Sequence, residues 1–468
     1  MLYQYNVKIP ELGDSEKKLL RSLENKFLMK YSARLSHLNR RDREVLAKEF
    51  LVNELSKMGI VISSEDINKY LQYTSGYGLI DPLVNDDEVE EIFINGWRSP
   101  VMIYHRKFGK CKTNLIFENE NELDRLIDKI VIFCGFARKK PILDSVLPDG
   151  PRINLTLPPV SYDRSVITIR KYLRNPPSIA ELIINGTMSP DIGALIWICV
   201  DGFGLAPRNI LIAGGTSSGK TTLLNAILPF CREHERIVSI EDTLELDLSY
   251  CEDWVRTNTT EYADMEKLIE NSLRLRPDRI IVGEVRGREA YNLINAMNLG
   301  HTGMGTIHSD SSRDAILKLT SPPMNVDPKM LAVLDMIIVM TRFHEGKACR
   351  RLVTHIDEVG NVIGGQVQLG SVYKYNAKTK KTEFSRFPAV TINKIADIVG
   401  ITPKDVIAEI KRREILLEYM TAKGIVKESE FVKFIRKYYE NPASVFKRAI
   451  DEMKTIEKKE HEKPMEAK

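Results

Sequence analysis

The 468-residue chain has 43% apolar and 28% charged residues, ordinary for a folded protein with room for two to three domains. Lys and Arg number 68 against 64 Asp and Glu, a formal net charge of +4, too slight a basic excess to require nucleic acid or an anionic membrane as partner. The longest clean apolar stretch, Ala194–Val200, falls far short of the about 18 residues a membrane-spanning helix needs. The opening MLYQYNVKIPELGD has no basic segment leading into an apolar core, so no signal peptide is expected either. Cys111, Cys134, Cys199, Cys231, Cys251 and Cys349 stand singly without C-x-x-C spacing, which fits buried, reduced thiols in a cytoplasmic protein and not a metal site.

Residues 15–60 read as helices. Leu20, Leu23 and Phe27 recur at helical spacing, as do Leu46 and Phe50, and Gly59 is a stop signal. The intervening charges, Arg40-Arg41-Asp42-Arg43-Glu44, read as a solvated face. From Gly76 to Tyr172 the texture is mixed α/β, with strands expected at 89–95 and 101–105 around a Gly96–Trp97 turn and a helix over 120–133. Pro148-Asp149-Gly150-Pro151 is a turn, followed by strands at 152–157 and 165–171. Leu173–Ser178 breaks helix and strand alike and reads as a linker. From Ser178 onward strand, loop and helix alternate, the pattern of a mostly parallel sheet, with strands at 209–213, 236–240, 279–283, 304–307 and 336–341. Segments 351–356 and 361–368 read as an added antiparallel pair. After Thr391 the pattern turns helical, with a helix start at Thr402–Pro403, and the charged stretch 457–468 is expected to be disordered. The divisions are a helical extension (1–69), an α/β domain (70–172), a linker (173–179), a second α/β domain (180–390), a helical region (391–456) and a tail (457–468).

Gly214-Gly215-Thr216-Ser217-Ser218-Gly219-Lys220-Thr221 fits G-x-x-x-x-G-K-[ST], follows the apolar strand NILIA and opens a helix at Thr222. Glycines let successive backbone N–H groups turn inward around phosphates, Lys220 adds charge at the β- and γ-phosphates, and Thr221 presents a hydroxyl to Mg²⁺. Hydrolysis also needs carboxylates. Two predicted strands end in acids, one running into Glu241-Asp242-Thr243-Leu244-Glu245 and the other into Glu284, both where a parallel sheet opens towards its ligand. Glu245 is the favoured general base, with Glu241 as its competitor.

These segments together resemble the secretion ATPases of type II and type IV systems and their pilus and archaellum relatives. The phosphate loop GGTSSGKTT is followed by an "Asp box" IEDTLEL (240–246), a Walker B-like IIVGEVRG (280–287) and a "His box" GHTGMGTIH (300–308). Upstream, GYGLIDPLVNDDEVEEIFING, LPDGPRINLTLPPVS and TIRKY look like the family's N-terminal domain with its arginine-bearing strands. The resemblance implies a RecA-like P-loop ATPase domain preceded by a smaller mixed α/β domain, with helical N- and C-terminal extensions. It implies ATP and Mg²⁺ as cofactors: residues 214–222 (Gly214, Gly215, Thr216, Ser217, Ser218, Gly219, Lys220, Thr221, Thr222) bind nucleotide, and Thr221 and Glu284 hold the metal. Glu245 and Glu284 act on water, Arg152, Arg170 and Arg274 offset phosphoryl charge, His308 senses the γ-phosphate, and His301 is a further catalytic candidate of the His box. Many pilus-extension members carry an aspartate where Gly287 stands and a proline where Thr243 stands, so this chain is more similar to the tight-adherence and archaeal pilus branch and the type IV secretion branch. The implied protein is a cytoplasmic homo-oligomer, a hexameric ring, held peripherally at the membrane by a polytopic platform partner and acting indirectly on pilin-like or secreted subunits. ATP is expected between the two α/β domains. A conjugation-type motor on DNA is a rival reading, disfavoured by the neutral charge balance and the lack of interleaved aromatic and basic residues, so nucleic acid is not an expected partner. A nucleotide-gated switch with little turnover is another.

Overall fold

The structure, a computed structural model, describes the chain apart from residues 1–2, 11, 61–62, 137–139, 172–175, 261, 346–347 and 462–468. The chain divides into two compact units, one built from residues 1–174 and 344–349 and one from 175–343 and 350–468. Residues 173–175 of the expected linker (173–179) lie outside the described residues. Helix α6 then begins at Ile179, capped by the Ser178 hydroxyl.

In the first unit, β1 (Tyr3–Tyr5) precedes helices α1 (Asp14–Leu35), α2 (Arg40–Lys57), α3 (Ser64–Thr74) and the short α4 (Asp81–Asn85). Then come β2 (Val89–Asn95), β3 (Met102–His105), β4 (Gly109–Thr113), α5 (Glu120–Phe133), β5 (Ile142–Val146), β6 (Arg152–Thr156) and β7 (Val166–Arg170). The sheet runs β1-β4-β3-β2-β7-β6-β5, with β1 parallel to β4 and the other pairs antiparallel. Period-2 alternation makes it two-faced. Ile153, Leu155, Ile167 and Ile169 are buried in one core with Leu23, Phe27, Phe50 and Ile127 of the helices, whereas Arg152, Asn154 and Arg170 fall on the alternate face. Arg43 is wholly buried, not on a solvated face, and holds both carboxylate oxygens of Asp149 at 2.8 and 2.7 Å.

In the second unit α6 (Ile179–Ile184) and α7 (Pro190–Asp201) lead into β8 (Ile210–Gly214), α8 (Lys220–Ile227), β9 (Ile237–Glu241), β10 (Trp254–Asn258) and α9 (Met265–Arg274). The chain continues through β11 (Arg279–Val285), α10 (Glu289–Asn298), β12 (Thr302–His308), α11 (Ser312–Thr320) and β13 (Met336–Glu345) to β14 (Ala348–Ile363), β15 (Gln366–Asn376) and β16 (Lys381–Phe384). Four helices follow, α12 (Ala389–Val399), α13 (Pro403–Lys423), α14 (Glu428–Glu440) and α15 (Pro442–His461). The sheet order is β10-β9-β11-β12-β8-β13-β14-β15-β16, parallel from β10 through β13. Alternate residues of the strands feed two cores. Ile210, Ile212 and Ile338 pack under α7, α8 and the C-terminal helices, while Leu211, Val238 and Val282 pack under α9, α10 and α11.

The segment expected as a strand at 361–368 straddles a turn at Gly364–Gly365, both with positive φ, so 361–363 belong to β14 and pairing resumes at Gln366. Residues 457–461, expected to be disordered, continue α15, and 462–468 lie outside the described residues. The apolar run Ala194–Val200 is a buried core helix in which Trp197 stacks on Phe230 at 5.0 Å. Among the described residues no helix is long and apolar enough to cross a membrane.

Candidate nucleotide site

Strand β8 is buried along its length between β12 and β13, and its last residue, Gly214, opens the phosphate loop. A Cβ at Gly214 would stand 2.3 Å from Ser218 Oγ and 2.6 Å from the Met340 carbonyl, so only glycine lets the loop fold back against the strand. Gly219 (φ +96°) makes the turn into α8 in the left-handed region, and Ser217 (φ +55°) shares that conformation without a glycine's freedom. Lys220 begins the helix nearly buried. Its ammonium donates to the carbonyls of Gly214 (2.9 Å) and Gly215 (3.1 Å) and lies 3.7 Å from Glu284 Oε1. Thr216 is exposed at the loop tip, Ser218 is buried, and Thr221 and Thr222 are half-buried on the first turn of α8.

Glu284 is the next-to-last residue of β11, at an irregularity where pairing with β12 shifts between Val282 and Val285. Such a bulge re-aims a side chain. Arg286 grips the same carboxylate through Nε (3.0 Å) and Nη2 (2.5 Å) and reaches within 3.7 Å of Asp242. Glu284 is thus not an isolated buried charge. It is 22% exposed and lies between two cations.

The two acids competing for the role of base are in different settings. Glu241, at the end of β9, is buried and accepts the backbone N–H groups of Glu245 (2.6 Å) and Leu246 (2.8 Å), closing the turn between them. Burial is the largest influence on its carboxyl and pushes it up to about 7. Glu245 lies at the far side of that turn, half-buried, with its carbonyl accepting from Asn225 Nδ2 at 2.8 Å. Asn225 Oδ1 also accepts Asp247 N–H at 3.0 Å, so one side chain of α8 couples the phosphate-loop helix to the acidic segment. Because the native state keeps the Glu241 proton to higher pH than the unfolded chain does, stability should fall as pH rises from about 4.5 to about 7. Glu241→Gln should flatten that part of the stability–pH curve; an unchanged slope in thermal melts would show that Glu241 is not its source.

The remaining candidates fall into three places. His308 ends β12 on the strand beside the loop, paired in register with Gly214. His301 precedes β12 at its other end, where Nδ1 lies 3.0 Å from the Pro277 carbonyl. Seven strand residues at about 3.3 Å each separate the two rings by roughly 20 Å. Arg274 is exposed at the end of α9, just before β11, and so shares the N-terminal edge of the sheet with His301. Within one chain neither joins the phosphate loop, because loop and acids occupy the C-terminal edge. Arg152 and Arg170, in the first unit, are directly opposed across β6 and β7, and Asp144 holds Arg152 at 3.1 and 2.7 Å. Like charges opposed on one face repel, which suits an anion.

A parallel sheet with a glycine-rich loop between β8 and α8, carboxylates at the ends of β9 and β11 and helices on both faces defines a RecA-like P-loop ATPase fold. Residues 90–374 match the model of the type II/IV secretion system protein family, and the chain belongs to that family. It is 42% identical over 268 residues to the uncharacterized protein MJ0781 of Methanocaldococcus jannaschii, a match that spans 55% of this chain and only 37% of that relative. To MJ0900 of the same organism it is 32% identical over 401 residues, 81% of this chain and 71% of the relative. The conjugal transfer protein TrbB of Rhizobium radiobacter is 33% identical over 48% of this chain and 70% of its own length. Among solved structures, the ATPase DotB of Legionella pneumophila aligns over 80% of this chain and 96% of its own, at 16% identity and a TM-score of 0.46.

Proposed function

We propose that the protein is an ATP-hydrolysing motor that works as a homo-oligomeric, hexameric ring on a membrane platform partner and powers assembly of a pilus-like filament or export of a protein. The observation that carries this reading is the approach of Lys220 to Glu284, 3.7 Å apart, at a loop whose first glycine, Gly214, leaves no room for a side chain. Thr221 and Glu284 offer the hard oxygen donors that suit Mg²⁺, which when bound would neutralise charge on the β- and γ-phosphate oxygens. Lys220 and the first turn of α8 bind the phosphates, Glu245 orients the attacking water, and Glu284 polarises it. His308 senses the γ-phosphate from the strand beside the loop.

The ring is supported by Arg274 and His301. Both stand at the sheet edge away from their own chain's loop, so they serve phosphates only where one subunit's edge faces the next subunit's site. Arg152 and Arg170 add paired positive charge during turnover. In the cell this motor would sit at the cytoplasmic face of the membrane, held there by its partner.

Turnover of the purified protein, measured with its mass in solution, tests the proposal. The wild type should hydrolyse ATP as a ring, and Arg152→Ala should lose about 10²-fold in kcat while still binding nucleotide. A monomer that binds ATP and never hydrolyses it, even with membranes added, would leave a nucleotide-gated switch instead. The relative named as a conjugal transfer protein favours a second reading, in which the cargo is DNA. Duplex binding that survives about 0.15 M salt would support it.

A further inference from the structure

Arg351 lies on β14, outside the phosphate loop, the acidic segments and the His box. Its Nε donates to the carbonyl of Ser217 at 3.0 Å. Its side chain also runs along the loop's last glycine: a Cβ at Gly219 would stand 3.4 Å from Arg351 Cδ. Ser217 is the loop residue held at φ +55° without being a glycine. Such a conformation is costly and persists only where the surroundings fix it.

We infer that Arg351 is a positioning residue for the phosphate loop, fixing the Ser217–Ser218 peptide with its carbonyl outward and its N–H inward. A trans peptide is planar, with C=O and N–H on opposite sides. Holding the Ser217 carbonyl on the Arg351 side therefore turns the Ser218 N–H away from the guanidinium and into the loop, where it now points towards the Gly215 carbonyl at 3.3 Å. If that peptide flipped, a carbonyl would replace a donor inside a loop that must receive phosphate oxygens. A charge-assisted hydrogen bond from a planar guanidinium, backed by the packing of its stem on Gly219, opposes the flip. The inference rests on nucleotide binding at this loop and deepens the proposed function by adding a residue on which affinity depends.

The test compares the full-length wild type with Arg351→Met, which keeps an apolar stem on Gly219 and removes the donor, and with Arg351→Lys. The readouts are the Kd for a fluorescent ADP analogue and the KM and kcat for ATP. Arg351→Met should raise Kd and KM about tenfold, equivalent to about 1.4 kcal/mol, with kcat within about twofold of wild type. Arg351→Lys should recover part of the affinity by donating to the same carbonyl. A Kd for Arg351→Met equal to that of the wild type overturns the inference. So does a parallel fall in kcat, nucleotide affinity and melting temperature in both variants, which is what loss of general packing would give. If the wild type itself binds no nucleotide, the proposed function fails first, and the two failures are thereby told apart.

Discussion

Glu284→Gln should cost about 10²–10³-fold in ATP turnover and leave nucleotide binding intact or tighter. Glutamine keeps the volume and leaves the β11 bulge undisturbed, so the change is almost purely the loss of one negative charge between Lys220 at 3.7 Å and Arg286 at 2.5 Å. Lys220, released from that carboxylate, still has the Gly214 and Gly215 carbonyls and gains freedom to meet a phosphate oxygen. Affinity is therefore preserved while the carboxylate proposed to act on water is gone. Single-turnover kinetics beside equilibrium binding separate the two effects. Retention of more than about a tenth of wild-type kcat would move the chemistry to Glu245, and Glu245→Gln would then show the large loss. Glu241→Gln should resemble neither, because both hydrogen bonds accepted by Glu241 go to backbone N–H groups of its own turn.

The parts of this site that are contiguous in the chain were legible in the sequence. A phosphate loop is one run of eight residues, and β8, β9, β11, β12 and β13 are apolar segments buried on both faces, whose patterns need no tertiary context. Strand β10 was not foreseen, because Trp254–Asn258 forms a sheet edge with half-exposed and exposed side chains and so lacks a buried run. Contacts set by register were equally hidden. Asn225 lies five residues past Lys220, which puts it on α8, yet nothing local says that this helix faces residues 245–247. Arg286 sits two residues beyond Glu284, where straight strand alternation would put both side chains on one face, a signal that spacing could have supplied. The placing of the two histidines is likewise a matter of strand length: seven residues span the whole of β12, so His301 and His308 stand at opposite ends of it.

Arg41 and Asp42 of the charged run are exposed as expected, but Arg43 is buried, and its burial leads to the second large effect. Arg43→Ala should destabilise the first unit by about 3–5 kcal/mol, the cost of leaving a buried carboxylate without its cation. Arg43 and the Asp149 side chain are 0% and 2% exposed. The guanidinium also donates to the Leu38 carbonyl at 2.9 Å and lies 4.5 Å over the Phe133 ring, while Tyr77 donates to Asp149 at 2.7 Å. Without Arg43, Asp149 would keep only the Tyr77 hydroxyl among these partners. A loss of that size corresponds to a fall of about 10 °C or more in the melting temperature of a unit this large. Replacing the whole group, Arg43→Met with Asp149→Leu and Tyr77→Phe, should restore most of the stability, because no charge is then left unpaired. A single variant melting within about 2 °C of wild type would mean that water reaches Asp149 and the pair contributes little. Asp149 sits in the turn between β5 and β6, three residues before Arg152, so this buried pair also anchors the strand that carries that arginine. If Arg152 takes part in turnover, Arg43→Ala should lower kcat at temperatures where the protein is still folded, and the apolar triple variant should recover it together with the melting temperature.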